Sequence, residues 1–336
     1  MKYALRNILL VIGLFIHTAS AWSLELEDVL KAKEPPAKQT RKLARRVLRQ
    51  AKRVQAVSRF ASLVVENPLC GHFHPKPFIN YFRLGVPVGH YFGEPDSTSS
   101  KRESAAPARV FHCPSAPEVK GTHAIVETME RLNQEGHGID FVNRSGIPHP
   151  EVLDEIKRSD FVIDQLYSDA PLAGFATEAV ALGKTPIVGG YGWEVLRRSL
   201  PPELFPSSAV CHPDALGDKI LELAGSPETS SFMAKEARRF LNTEWSGHAF
   251  SLRIAQLLEG NIPDDWWIQP SDVCYVHGMG LSEEEVRRIL QWMIELEGED
   301  ALCLNHLPAL KQSMLHFAQG SKVDYSELDA TGPGIP

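Results

Sequence analysis

The residue types that can do chemistry in this 336-residue chain gather between Lys120 and Glu178. The stretch Gly174 to Gly190, GFATEAVALGKTPIVGG, places a carboxylate behind Gly-Phe and ends at Gly-Lys-Thr-Pro before Ile-Val. It predicts a helix over Thr177 to Leu182, a left-handed stop at Gly183, and a buried strand opening at Pro186. Glu178 then falls in the first helical turn. Gly174 permits close approach of backbone to a ligand, and the helix start offers N–H groups and partial positive charge suited to phosphate. An ordinary β-loop-α-β unit carries the same pattern, with Glu178 merely favourable near a helix N-terminus.

Other reactive residues weigh less. His72 and His74 have the i, i+2 spacing of a strand metal pair, but no third ligand stands near them in the sequence, so a role without metal is expected. Asp160 and Asp164 flank Phe161-Val162-Ile163. Four residues along a strand separate them by roughly 13 Å, which excludes a shared proton. Asp164 at the carboxyl end of the strand is placed to line a crevice, and Asp160 to cap the strand's start. Adjacent Trp266 and Trp267 point in different directions, so one is expected in the core. The five cysteines, Cys70, Cys113, Cys211, Cys274 and Cys303, are scattered without CxxC spacing, which predicts neither a disulfide framework nor a zinc site.

These residues need a scaffold, and 43% hydrophobic content over this length provides for more than one core. The first residues combine a basic start, an apolar run from Ile8 to Ile16 and Ala19-Ser20-Ala21. That suits an export signal, and equally the first buried strand of an α/β domain. Residues 38 to 59 form a strongly basic run whose Leu43, Val47, Leu48, Val54 and Val57 have helical spacing. A solvated amphipathic helix is the reading favoured over a membrane surface. The net charge of −7 gives no general case for nucleic acid. A linker is expected at residues 93–108, rich in Ser, Pro and charge. Beyond it, strands at Arg109–His112, Ile139–Val142 and Phe161–Gln165 alternate with helices at His123–Glu135 and Pro150–Arg158. The alternation predicts a doubly wound parallel sheet. Ser282 and Glu285 open a final helix to Leu296 with a capping box.

Taken in order, Lys120-Gly121-Thr122, His149-Pro150-Glu151, Asp160 to Asp164, Gly174 to Ala179 and Gly183-Lys184-Thr185-Pro186 resemble the donor-binding domain of retaining GT-B glycosyltransferases of the family-4, or group-1, type. The resemblance covers residues 109 to 260. It implies an α/β fold with a Rossmann-like GT-B C-terminal domain at 109–262, a reduced N-terminal α/β part at 23–92 behind the segment 1–22, and a helical C-terminal extension at 263–320. It further implies transfer of a sugar from a nucleotide-diphosphate donor to a glycan, lipid or small acceptor with retention, without metal or cofactor. Glu178 would accept the ribose hydroxyls, Lys120 would face the diphosphate with the backbone of Gly174, Phe175 and Ala176, and His149 would open the helix beneath the base. No catalytic residue is assigned. Where the family carries a second glutamate this chain has Ala170, with the shorter carboxylate of Asp169 beside it as the residue that would substitute, and Cys113-Pro114-Ser115 replaces a common basic residue. The front half is also short. A catalytically incomplete protein that binds nucleotide, sugar or a partner subunit is therefore the alternative. Cytoplasmic residence, with or without weak membrane association through the N-terminal segment or the basic helix, is expected over export. The helix from Ser282 is expected to bury Ile289 and Met293 against the N-terminal part, leaving a cleft beside Lys120 and Glu178.

Overall fold

The structure is a computed structural model that describes residues 32, 36–87, 106–277, 280–323 and 325. The segment 1–22, most of the expected linker and nearly all of the last dozen residues lie outside the described residues.

The strands of the larger unit are β3 (Arg109–His112), edge strand β4 (Asp140–Asn143), β5 (Phe161–Gln165), β6 (Thr185–Gly189) and β7 (Ala209–Cys211), with β5 and β6 buried throughout. They form one five-stranded sheet in the order β4-β3-β5-β6-β7, with every pairing parallel. Because parallel strands are covered on both faces, successive residues serve different layers. Val110 packs with Ile125, Met129 and Leu132 of α3 (Thr122–Gln134), whereas Phe111 packs with Val152 and Ile156 of α4 (His149–Arg158). Counted within the unit the order is 2-1-3-4-5, the doubly wound, Rossmann-like arrangement. The direction of winding reverses between β3 and β5.

Helix boundaries explain one departure from expectation. The helix α5 runs Gly174–Ala181, three residues earlier than predicted, because Thr177 N–H already bonds Ala173 O at 2.8 Å and the Thr177 hydroxyl donates to the same carbonyl. No acidic residue lies in its first turn, so Glu178 sits one turn in, where the helix dipole does little for it. The stop is as expected. Gly183 takes φ +76, with its N–H on Val180 O and that of Lys184 on Ala179 O. The short α2 (Pro117–Lys120), α6 (Trp193–Arg198), α7 (Leu216–Gly225), α8 (Pro227–Thr243) and α9 (Gly247–Glu259) complete the unit.

The two ends of the chain build the smaller unit together. The basic run is α1 (Ala37–Phe60), with Leu43, Ala44, Ala51 and Val54 buried. In a three-stranded sheet, β2 (Phe78–Asn80) lies between parallel β1 (Val65–Glu66) and antiparallel β8 (Trp267–Ile268). The segment expected as a helical extension thus supplies a strand to the N-terminal part. The capping box at Ser282 and Glu285 opens α10 (Glu283–Glu297), whose Ile289, Trp292 and Met293 cluster with Leu43 and Ala44. Val286 joins a second core with Phe78, Val273, Tyr275 and Phe317 of α11 (Pro308–Ala318). Phe82 beyond β2 enters the core of the larger unit with Trp193, Leu196 and Trp245.

Candidate functional site

In a doubly wound sheet, ligands bind outside the carboxyl ends of the strands where the winding reverses. That point lies between β3 and β5, and His112 ends β3 there. Its ring is fully buried: Nδ1–H donates to Ile163 O at 2.8 Å, and Nε2 accepts from the Thr122 hydroxyl at 2.9 Å. Since a carbonyl only accepts, Nδ1 carries a proton; burial holds the imidazole pKa below its ordinary value, which favours the neutral ring with Nε2 as the acceptor. The loop above turns at Gly121, φ +68, and Leu166 N–H bonds Lys120 O at 3.1 Å. A Cβ at Gly121 would lie 2.8 Å from Leu166 Cβ, so only glycine fits this crossing. Lys120 Nζ therefore reaches the end of β5. It donates to Asp164 Oδ1 at 2.7 Å and Gln165 Oε1 at 2.8 Å. The Asp164 side chain is 1% exposed, and its Oδ2 has no hydrogen-bond partner among the described residues. The lysine charge is thus largely compensated by a buried carboxylate before any ligand arrives.

On the other side of the reversal, the N–H groups of Gly174, Phe175 and Ala176 precede the first intrahelical bond of α5, so they have no partner within the helix. Gly174 faces open space, while Phe175 meets Phe111 edge-on at 5.8 Å. The Ala176 side chain is fully buried, which leaves that residue only its backbone to offer. Glu178 Oε1 accepts from His149 Nε2 at 2.9 Å. The Cys113 thiol, just past β3, is pushed up first by burial and then by the charge of Glu178, so Glu178 stands over the end of β3. Of the expected site residues, Lys120 and Glu178 come from loops and helices on opposite layers of the sheet. They share its carboxyl edge rather than one face, and each already has its own partner.

Two expectations need correction. Asp169 cannot stand in for the missing glutamate at Ala170: it is fully buried at φ +49, and accepts from Tyr275 Oη and Gly192 N–H. A Cβ on Gly190 or Gly192 would strike Asp169 or Tyr275, so the run Gly189-Gly190-Tyr191-Gly192 is shaped around this carboxylate. That glycine spacing is the signal in the sequence that points to it. His74, in turn, does have a carboxylate neighbour, Glu66 Oε2 at 3.6 Å, and its Nδ1 bonds Ser58 Oγ at 2.9 Å. Among the described residues no group of three His, Cys, Asp or Glu is arranged to hold a metal ion. Asp160 accepts from Arg109 N–H at 2.7 Å, so it caps the start of the neighbouring strand β3 rather than that of β5, which it precedes. Trp266 is buried and Trp267 half-buried.

Two concavities lie away from the carboxyl edge of the sheet. One of about 730 Å³ lies among Lys52, His74, Lys76 and His306, and one of about 400 Å³ among Arg197, Phe205, Ser208 and Phe232. Neither borders Lys120 or Glu178. Neither is therefore the nucleotide-sized cleft expected beside Lys120 and Glu178. No described helix is long and apolar enough to cross a membrane.

No protein-family model matches the chain. No curated protein matches it either. Among solved structures it is similar to Alr3699/HepE of Anabaena, determined in complex with UDP-glucose and with UDP and glucose. In both cases the TM-score is 0.42 and the identity 14%, over 69% of this chain and 70% of that one. The strand order of the larger unit is what defines the fold class.

Proposed function

We propose that the chain binds a nucleotide-diphosphate sugar at the carboxyl edge of β3 and β5 and transfers the sugar, with retention, to a hydroxyl of a glycan, lipid or small acceptor. The observation that carries this reading is that the N–H groups of Gly174, Phe175 and Ala176, which have no partner within α5, lie with Glu178 and Lys120 along the carboxyl edge of the sheet at the winding reversal, the two side chains coming from opposite layers. The N–H groups and the start of α5 suit the diphosphate. Glu178 suits ribose hydroxyls, because a carboxylate accepts hydrogen bonds from O–H donors. In transfer, the bond from the anomeric carbon to the diphosphate oxygen breaks with its electron pair on that oxygen. The acceptor oxygen bonds the carbon on the face the diphosphate leaves, and its proton passes to the departing diphosphate oxygen. The protein's part is to hold the departing diphosphate against fixed dipoles. Such donors are made in the cytosol, which favours cytoplasmic residence; a mature N-terminus at Trp22 in an exported fraction would overturn that.

A second reading is supported by two observations: Asp169 is committed to Tyr275 and Gly192, and Lys120 to Asp164. With Ala170 beside them, the site then holds donor without turning it over. Thermal shift with UDP, GDP and ADP tests binding, and release of free sugar from the matching nucleotide sugar tests turnover. A stabilised protein that hydrolyses its donor slowly, with hydrolysis lost in Glu178→Ala, supports the transferase. Stabilisation without hydrolysis supports the binder, and no shift at millimolar nucleotide defeats both.

A further inference from the structure

The contact between His149 and Glu178 joins the first residue of α4 to α5 at the carboxyl edge of the sheet. His149 is the first residue of α4 and stands between Pro148 and Pro150, so its backbone has little freedom. Val152 and Ile156 then fasten α4 to the sheet, as Ala179 and Val180 fasten α5. Both helices are thus fixed on the sheet, and the His149 side chain itself is 60% exposed. The glutamate side chain between them has three rotatable bonds and is 26% exposed, and without a partner it would spread over several rotamers. The imidazole takes only one of its oxygens, Oε1, at 2.9 Å. Oε2 has no hydrogen-bond partner among the described residues. Cys113 is the other titratable group shown to feel this carboxylate, and its thiol is kept neutral by burial.

We infer that His149 is a positioning residue: it pins Oε1 of Glu178 so that Oε2 faces a ribose hydroxyl of the donor, and it thereby sets the preference for ribo- over deoxyribonucleotides. This rests on the nucleotide-sugar reading above. The hydrogen bond is donated by Nε2–H, because a carboxylate only accepts; a glutamine amide at position 149 can donate in its place.

The experiment is calorimetric titration of the full chain with UDP, GDP and ADP, then with the 2′-deoxy form of whichever binds. Wild type is expected to favour the ribose form by about tenfold, the size of one well-made hydrogen bond. His149→Ala should reduce that preference to less than about twofold while leaving affinity for the deoxy form unchanged, His149→Gln should restore it, and His149→Ala with Glu178→Ala should lose no more than Glu178→Ala alone. A purely structural role for His149 would weaken both nucleotides alike, and that result would overturn the inference. Preference retained in His149→Ala but lost in Glu178→Ala would also overturn it while sparing the donor reading. If no nucleotide binds wild type, both fall; if wild type binds without preference, or Glu178→Ala leaves the preference intact, the ribose role of Glu178 falls and the inference with it.

Discussion

The Tyr275 hydroxyl donates to Asp169 Oδ2 across a sequence separation of 106 residues, tying the C-terminal segment to the loop that follows β5. Around this bond Tyr191 stacks on His277 at 4.5 Å, and His277 Nδ1 meets Tyr325 Oη at 2.8 Å. Tyr191 Oη accepts from Glu283 N–H at 3.0 Å. The two units are therefore joined by a buried polar network, and such networks are costly to break because each severed partner stays desolvated.

Two members of that network should tilt stability in opposite directions with pH. Burial pushes the Asp169 carboxyl up from 3.8 to about 6, against the pull of Tyr275 and Gly192. Between those values the folded state holds the extra proton, so this component of stability falls as pH rises, by roughly 3 kcal/mol in all. Burial lowers His277 from 6.5 to about 4, so there the unfolded chain holds the extra proton and stability rises with pH by a similar amount. Urea unfolding between pH 4 and 6.5 should show Asp169→Asn gaining on wild type as pH rises and His277→Gln losing ground. Parallel tilts would mean the network does not titrate as these contacts require.

Lys120 should show itself first in stability. Removing it strands Asp164, whose side chain is 1% exposed, as an unpaired buried charge. Lys120→Met is expected to cost about 3–5 kcal/mol, and Lys120→Met with Asp164→Leu to recover most of that, since replacing both partners leaves no charge to desolvate. Chemical denaturation of the two variants decides it. If Lys120→Met is no less stable than wild type, the amine is free for a ligand after all.

The turn beneath that lysine can be tested against an internal control. Gly121 and Gly146 have nearly the same φ, +68 and +69, but a Cβ at Gly121 would press on Leu166 and Tyr167, while at Gly146 it would meet nothing within 4 Å. Gly146→Ala should cost about 1 kcal/mol for the left-handed backbone alone. Gly121→Ala should exceed it by about 1–3 kcal/mol, the range for overpacking. Equal melting temperatures for the two would show that the crossing loop yields freely.

What the sequence discloses, and what it hides, follows from distance along the chain. Phe161-Val162-Ile163 is legible as a buried parallel strand because both of its faces are covered, and the Ser282–Glu285 box and the Gly183 stop are local chemistry. The start of α5 is not legible, since it depends on Thr177 bonding back to Ala173. Asp169 reads as a spare catalytic carboxylate until Tyr275 is placed against it. Strands as short as Val65–Glu66 and Trp267–Ile268 have no period to detect, and they exist because β2 lies between them.

The same non-local dependence makes the packing of α10 on α1 the test of how the smaller unit coheres. Leu43 and Ile289 are 4% and 8% exposed and share a core with Ala44, Trp292 and Met293, whereas Leu48, on the same helix as Leu43, is 43% exposed. Truncating a buried leucine or isoleucine to alanine costs about 2–5 kcal/mol, with the lower end expected here because this core is small. Leu43→Ala and Ile289→Ala should each lower stability by about 2–3 kcal/mol, while Leu48→Ala should stay within about 0.5 kcal/mol of wild type. Because one cavity would serve both truncations, the double variant should lose less than the sum of the two. Full additivity with small single costs would place the two helices in separate environments. The smaller unit would then be two chain ends lying side by side rather than one core, and β8 would lose the support that brings it to β2.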